Sequence, residues 1–309
     1  MGAGLVWSVR PHRSEARAGV GVPYAGRVLP TVRATRFVLP LREGGSMPGL
    51  VEADDDGMYV VKFRGAGQGL KVLVAETIVG LLAPHLGVVV PDLAVVDLSP
   101  AIARYEADEE VQDLLDASLG TNIGLDFLPG AFGYDGSRPP DADQAAAIIW
   151  LDAFTANVDR TWHNPNLIHW HERLVAIDHG AALYVHHSWP TKGADPARFA
   201  AARFDASTHV LASVPGALEL VSGRHEEFAA AVSEDVRREV VDAVPEDWLE
   251  EAPGLADPAE VRRAYRDALE RHRLAPPPGY GPAGVGRAVF SVSAFMDVLA
   301  PEDGARPAP

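Results

Sequence analysis

The stretch from Asn157 to Gly180 constrains this 309-residue chain more than any other part of it. It reads Asn157-Val158-Asp159-Arg160, then Asn164-Pro165-Asn166 ahead of the apolar Leu167-Ile168, then Ala176-Ile177-Asp178-His179-Gly180. Upstream, Asp141–Ala156 carries Ala146, Ile149, Ala153 and Ala156 at helical spacing, with Ile148, Leu151 and Thr155 adjoining them. A helix therefore delivers the chain to Asp159, which falls at its exit rather than on its face. Asn166 opens a strand, and a second strand ends in Asp178 before His179-Gly180. The plainer reading is that these are ordinary turn residues, since Asn and Asp favour turns. Against it stands the order: three polar functions at loop positions, each flanked by apolar strands.

That order is what phosphoryl transfer needs. A carboxylate orients the accepting hydroxyl and takes its proton, while an Asn and an Asp hold magnesium on the nucleotide phosphates. Asp159 suits the first role and Asp178 the second. The amide is undecided between two residues. A spacing of five from the acid gives Asn164, whereas the position directly before the strand gives Asn166. Asn166 is preferred because the strand that follows would pin its amide.

The other half of such a site is sought upstream. Of 27 basic residues only Lys62, Lys71 and Lys192 are lysine, and Lys62 lies mid-strand in Tyr59-Val60-Val61-Lys62-Phe63. A compact ammonium fits between phosphates and a carboxylate where a planar guanidinium does not. Fourteen residues on, Glu76 lies inside a predicted helix, Lys71–Leu86, on the face turned toward the sheet. A strand lysine held by a glutamate of the next helix positions nucleotide phosphates. Gly44-Gly45-Ser46, between two strands, suits a phosphate-covering loop. Gly65, Gly67 and Gly69 do not complete a dinucleotide fingerprint, because the third glycine would fall at Leu70. They could still supply backbone N–H donors.

Around these motifs the pattern is strands first, then mostly helices: an α+β arrangement of two lobes, β-rich then mainly helical. Strands are expected at Val32–Leu39, Leu50–Ala53, Met58–Phe63, Val88–Leu98 and Ile123–Leu128. Ala101–Ser118 reads as an acidic amphipathic helix or insertion, Ala181–Gly216 as irregular, and Glu226–Ala243 and Pro258–His272 as helices. The expected divisions are an extension over 1–30, a first lobe over 31–123, hinge and second lobe over 124–275, and a Pro/Gly-rich tail over 276–309 that holds one apolar patch, Ala288–Leu299.

A formal net charge of −16 disfavours general binding to nucleic acid or an anionic membrane. The absence of cysteine excludes a disulfide framework and Cys-ligated zinc and fits a cytoplasmic protein. No apolar run approaches the length of a spanning helix. Arginines throughout the first thirty residues argue against a secretory signal. His163, His169, His171, His179, His186 and His187 cluster in sequence without a recognisable zinc spacing. His179 is expected to orient the turn it occupies.

Together, Glu43–Ser46, Tyr59–Gly69, Gly124–Gly130, Asn157–Arg160 with Asn164–Asn166, and Ile177–Gly180 resemble the HipA-like kinase family, a bacterial branch of the protein-kinase-like fold. The resemblance spans about Thr31 to Leu274. Asp159-Arg160 and the Asp178–Gly180 turn are also similar to lipid kinases of the phosphatidylinositol type. The resemblance implies ATP and Mg²⁺ as cofactors, Asp159 as catalytic aspartate, and Asp178 with Asn166 or Asn164 as metal ligands. It further implies Lys62, held by Glu76, on the phosphates, and the backbone around Asp126, Phe127 and Leu128 against adenine. Family toxins phosphorylate protein Ser or Thr and pair with a DNA-binding antitoxin, so a protein acceptor and an antitoxin-like or operon partner are expected. The chain is shorter than full-length toxins, shows no evident N-terminal subdomain, and carries Trp162-His163 as an insertion in the catalytic loop. A small-molecule or lipid phosphotransferase and a nucleotide-binding scaffold without turnover are the alternatives.

Overall fold

The computed structural model describes residues 29–41, 47–67, 69–103, 106–200 and 204–274. The expected extension, Gly44-Gly45-Ser46, the tail and Ala288–Leu299 lie outside the described residues, wholly or in all but a few positions.

Five strands close into a barrel in the order β1-β2-β3-β5-β4: β1 (Thr31–Pro40), β2 (Gly49–Ala53), β3 (Met58–Lys62), β4 (Leu93–Leu98) and β5 (Gly120–Asp126). Consecutive strands β1, β2 and β3 pair antiparallel, and closure comes from a parallel pairing of β1 with β4, Thr31 opposite Val95. Alternation along the strands separates two cores. Val51, Tyr59, Val61, Ala94, Val96 and Leu98 belong to one. Leu93, Val95, Ile123 and Leu125 belong to the other, shared with the helices. Because Tyr59 and Val61 take the first face, Lys62 projects from the opposite one.

Helix α1 (Leu70–Leu82) is buried from Val72 to Leu82. Its sequence is apolar almost all round, as expected of a helix enclosed on every side, so Glu76 is carried into the interior. A 3₁₀ turn, Ala83–Leu86, follows and stops at Gly87, whose φ of 73° is the left-handed conformation that glycine tolerates. Only Leu93–Leu98 of the expected Val88–Leu98 strand forms. Pro91 removes a donor, and Val89 instead offers its carbonyl to the Ala176 N–H at 2.8 Å. Helix α2 (Glu109–Ala117) realises the acidic segment, with Asp108 as N-cap and Val111 and Leu115 buried.

Helix α3 (Ala142–Thr155) is capped by Asp141 and stopped by Ala156 in the left-handed region. Beyond it, β7 (Leu167–Trp170) and β8 (Arg173–Ala176) form a hairpin joined by the short β6 (Phe132–Gly133). The remainder is helical. Ala181–Gly216 is not simply irregular: it holds 3₁₀ turns at Tyr184–Ser188 and Ala206–Thr208 and short helices α4 (Trp189–Lys192) and α5 (Pro196–Ala200). After α6 (Ala217–Gly223), the single helix expected over Glu226–Ala243 is two, α7 (His225–Ala231) and α8 (Glu234–Asp242), the latter restarted by the Ser233 cap. Helix α9 (Pro258–Leu274) completes the described chain. No helix among the described residues is long and apolar enough to cross a membrane.

Candidate active site

The hairpin register builds the first part of the site. Leu167 faces Ala176, so Asn166 and Ile177 meet at its open end, where the Ile177 N–H donates to the Asn166 carbonyl at 3.0 Å. Asp178 follows directly. Both Asn166 (φ 48°) and Asp178 (φ 51°) are left-handed, a conformation Asn and Asp adopt more readily than other side chains and one that clusters at functional sites.

The second part comes from the barrel. Lys62 Nζ donates to Glu76 Oε2 at 2.7 Å and to Asp178 Oδ1 at 2.6 Å. Lys62 and Glu76 are buried, while the Asp178 side chain keeps 43 % of its surface in solvent. Glu76 Oε2 also accepts the His179 N–H at 2.8 Å, and its Oε1 is buried with no hydrogen-bond partner. Burial opposes the charge on Lys62, but Glu76 and Asp178 together push its pKa up. Burial raises Glu76 despite the ammonium. For Asp178 burial would also raise the carboxyl, yet Lys62 holds it below the usual range. The 116-residue separation of Lys62 from Asp178 is thus closed by one ion pair.

Asp159 lies across from this cluster, half-buried. Asn164 Nδ2 donates to its Oδ2 at 2.7 Å and Asn166 Nδ2 to the same oxygen at 3.4 Å. Burial raises the Asp159 carboxyl, the amide of Asn164 opposes, and the charge of Asp178 adds to the rise. Both candidate amides therefore reach the same acid, and only Asn166 has its backbone fixed by the hairpin.

Residues outside the catalytic and metal-binding roles assigned from the sequence hold these pieces together. Arg160 is buried and ion-paired to the buried Asp152 of α3. Its Nη1 donates to the carbonyls of Asn166 and, at 3.2 Å, Ile177, and its Nη2 to His179 Nδ1 at 3.2 Å. His209 Nε2 donates to Asp152 Oδ2 at 2.9 Å while its Nδ1 accepts from the Leu211 N–H at 3.1 Å, which fixes a neutral tautomer. Asn157 Nδ2 donates to Asp152 at 2.9 Å, and the Asp159 N–H to Asn157 Oδ1 at 3.2 Å. Burial would raise Asp152, but Arg160 and His209 hold it far below the carboxylate range. An acid amid the apolar run Ala145–Phe154 was the available signal for Asp152. Nothing local marked His209, 57 residues away.

Asp126, Phe127 and Leu128 lie at the far end of β5, where Asp126 faces Tyr59 and Ile123 faces Lys62. Three residues of strand separate them from the lysine, about 10 Å. The Asp126 and Phe127 N–H groups donate to Asp92 and Met58 carbonyls at 2.8 and 2.9 Å. Gly44, Gly45 and Ser46 are outside the described residues, although the Leu41 N–H donates to the Pro48 carbonyl at 2.7 Å across the base of that loop. Gly65 packs on Ala117 and gives its N–H to Ser118 Oγ at 3.1 Å. His163, His169, His171, His186 and His187 do not join the cluster of carboxylates. Among the described residues no three acidic or imidazole groups converge as a metal cage.

Against known families, residues 35–274 match the HipA-like kinase family. The chain belongs to the HipA-like kinase family. A kinase-type phosphotransferase is therefore its coarse function. Among solved structures this HipA-like chain is similar to the Helicobacter pylori proinflammatory kinase CtkA, at 10% identity over 76% of this chain and 90% of that one, with a TM-score of 0.46. No curated protein matches it in sequence.

Proposed function

We propose that the chain is an ATP- and Mg²⁺-dependent kinase that phosphorylates a hydroxyl of Ser or Thr in a protein acceptor, working between a barrel lobe (31–123) and a hinge and helical lobe (124–275). The observation that carries this reading is Lys62 held between Glu76 at 2.7 Å and Asp178 at 2.6 Å, with Asp159 and two amides facing them. Lys62 takes the nucleotide phosphates and Glu76 fixes its position. The donor set fits magnesium: hard oxygens from Asp178 and an Asn amide, without a dedicated protein cage, as suits an ion shared with phosphates. Bound there, magnesium neutralises phosphate charge in the transition state.

Asp159 orients the acceptor hydroxyl and takes its proton as the acceptor oxygen bonds to the γ-phosphorus. The bond from that phosphorus to the bridging oxygen breaks, and its electron pair leaves with ADP. The raised Asp159 carboxyl is a better base than an ordinary aspartate, in keeping with that role. Backbone groups around Leu128 receive the base, since the neighbouring Asp126 and Phe127 amides are already committed. An operon-encoded partner protein of antitoxin type goes with the family reading.

The test is Asp159→Asn. ATP with Mg²⁺ should still raise its melting temperature, while transfer of γ-phosphate disappears. Retained transfer would overturn the assignment.

A further inference from the structure

Among the described residues, only Leu39, Phe132, Val158 and Trp162 are large apolar side chains left widely exposed. Two of these four flank Asp159 in the chain: Val158, 41 % exposed, and Trp162, 53 % exposed. The third, Phe132, 47 % exposed, is joined to Trp162 by a run of rings whose middle members, Tyr134 and His169, are buried and support the two exposed ends. Trp162 stacks on Tyr134 with centroids 6.1 Å apart, Tyr134 contacts His169 at 5.7 Å, and His169 contacts Phe132 at 5.3 Å. The indole is held in place. A Cβ on Gly136 would come within 2.8 Å of the Trp162 ring, and Gly136 has a φ of 81°, so the loop passes directly against it. The Tyr134 N–H is tied to the Leu167 carbonyl at 2.9 Å, which couples the platform to the strand that follows Asn166.

Exposed apolar surface of this kind marks a recognition site, and a pre-positioned indole presents contact area at little conformational cost. We infer that Trp162 and Phe132, supported by the buried Tyr134 and His169, select the phospho-acceptor: a polypeptide whose accepting Ser or Thr is flanked by an aromatic or large aliphatic side chain that lies on this platform. The inference rests on the kinase reading above. Charge decides the class of acceptor. Beside the platform stand Asp135 and Asp159, Arg138 lies over the Phe132 ring at 5.7 Å, and the whole chain carries −16. An anionic headgroup or sugar phosphate meets repulsion there, whereas a neutral peptide segment with one apolar side chain does not.

The experiment uses the full chain, ATP with Mg²⁺, and two synthetic Ser-peptide libraries, one with Phe, Trp, Leu or Ile beside the serine and one with Gly, Ser or Asp there. Wild type should favour the apolar library, and Trp162→Ala should reduce that preference about five- to tenfold, mainly through KM, while Trp162→Phe keeps most of it. Phe132→Ala, at the other end of the platform, should give a smaller loss. Trp162 is exposed, so folding of these variants is checked simply by melting temperature. Equal use of both libraries by wild type, or an unchanged preference in Trp162→Ala, overturns the inference and leaves the kinase reading standing. Transfer to inositol, glycerol or a sugar with none to either library also overturns it. No Mg²⁺-dependent response to ATP in wild type instead overturns the kinase reading on which it rests.

Discussion

Arg160 and Asp152 form an ion pair in which neither side chain retains any solvent exposure. From that anchor the guanidinium reaches the carbonyls of Asn166 and Ile177, so one side chain fixes both the loop that follows Asp159 and the turn that presents Asp178. Removing one member of a buried pair strands the other without compensation. Arg160→Met should therefore cost about 3–5 kcal/mol of stability, measured by urea unfolding. Adding Asp152→Asn to it should recover part of that loss, because the stranded charge is gone.

The two amides should separate by magnesium dependence. Asn166 is left-handed and its carbonyl is bonded twice, to the hairpin and to Arg160, whereas Asn164 is exposed, its backbone bonded only within its own loop to Thr161 and its side chain to Asp159. Asn166→Ala should raise the Mg²⁺ concentration needed for half-maximal rate by about tenfold or more, with Asn164→Ala changing it far less. Asn166→Gly relieves the strained φ without restoring the amide, so it should behave like the alanine variant if the amide is what matters.

Acid should act on rate and stability through different residues. Transfer needs Asp159 ionised, and burial raises its pKa from 3.8, so the acid limb of the rate should lie above that value. Asp178 is lowered; its contribution to stability is present above the unfolded value and is lost as pH falls through the folded one. Burial, with Arg160 beside it, lowers His179 from 6.5 to about 3. Between those values the unfolded chain binds a proton that the folded chain refuses, so stability falls as pH drops through that window. Melting temperature should decline from about pH 7 to about pH 5, and His179→Gln should flatten the decline.

Gly180 leaves no room for a side chain. A Cβ there would meet Val72 Cγ1 at 2.6 Å and approach Lys62 Nζ at 3.4 Å and Asp178 Oδ1 at 3.5 Å. Gly180→Ala should push α1 away from the turn and loosen the Lys62–Asp178 contact. A loss of about 1–3 kcal/mol in stability is expected, with a raised KM for ATP in steady-state kinetics.

Much of this site was readable in the sequence because its chemistry is carried by short, regular contexts. Lys62 falls in a β-branched strand, Glu76 falls inside an apolar helix, and Asn166 and Asp178 bracket a hairpin whose register follows from its apolar residues. The structure brings these four together with Asp159, although they span more than a hundred residues. Period and propensity also located the strands before Phe63 and the helix before Asn157. What was not readable depends on distant partners. Closure of the barrel needs β1 beside β4, a pairing between strands far apart in the chain. The Asp152–His209 contact likewise joins α3 to a stretch that reads as irregular. Val88–Asp92 looks like strand by composition, but Pro91 and the demand of Ala176 for a carbonyl decide otherwise. The helix over Glu226–Ala243 breaks because Ser233 caps a new start, a local signal that apolar spacing alone does not weigh.

The closed barrel has a consequence for how other chains can attach. Each of its strands has a neighbour on either side, but β1 meets β4 only over Thr31–Arg33, and among the described residues Ala34–Pro40 is paired to β2 alone. The β6-β7-β8 sheet offers a further border, formed by β6. Phe132 belongs to that border strand, so a segment lying alongside it would exchange main-chain hydrogen bonds and meet the aromatic surface in a single act of binding.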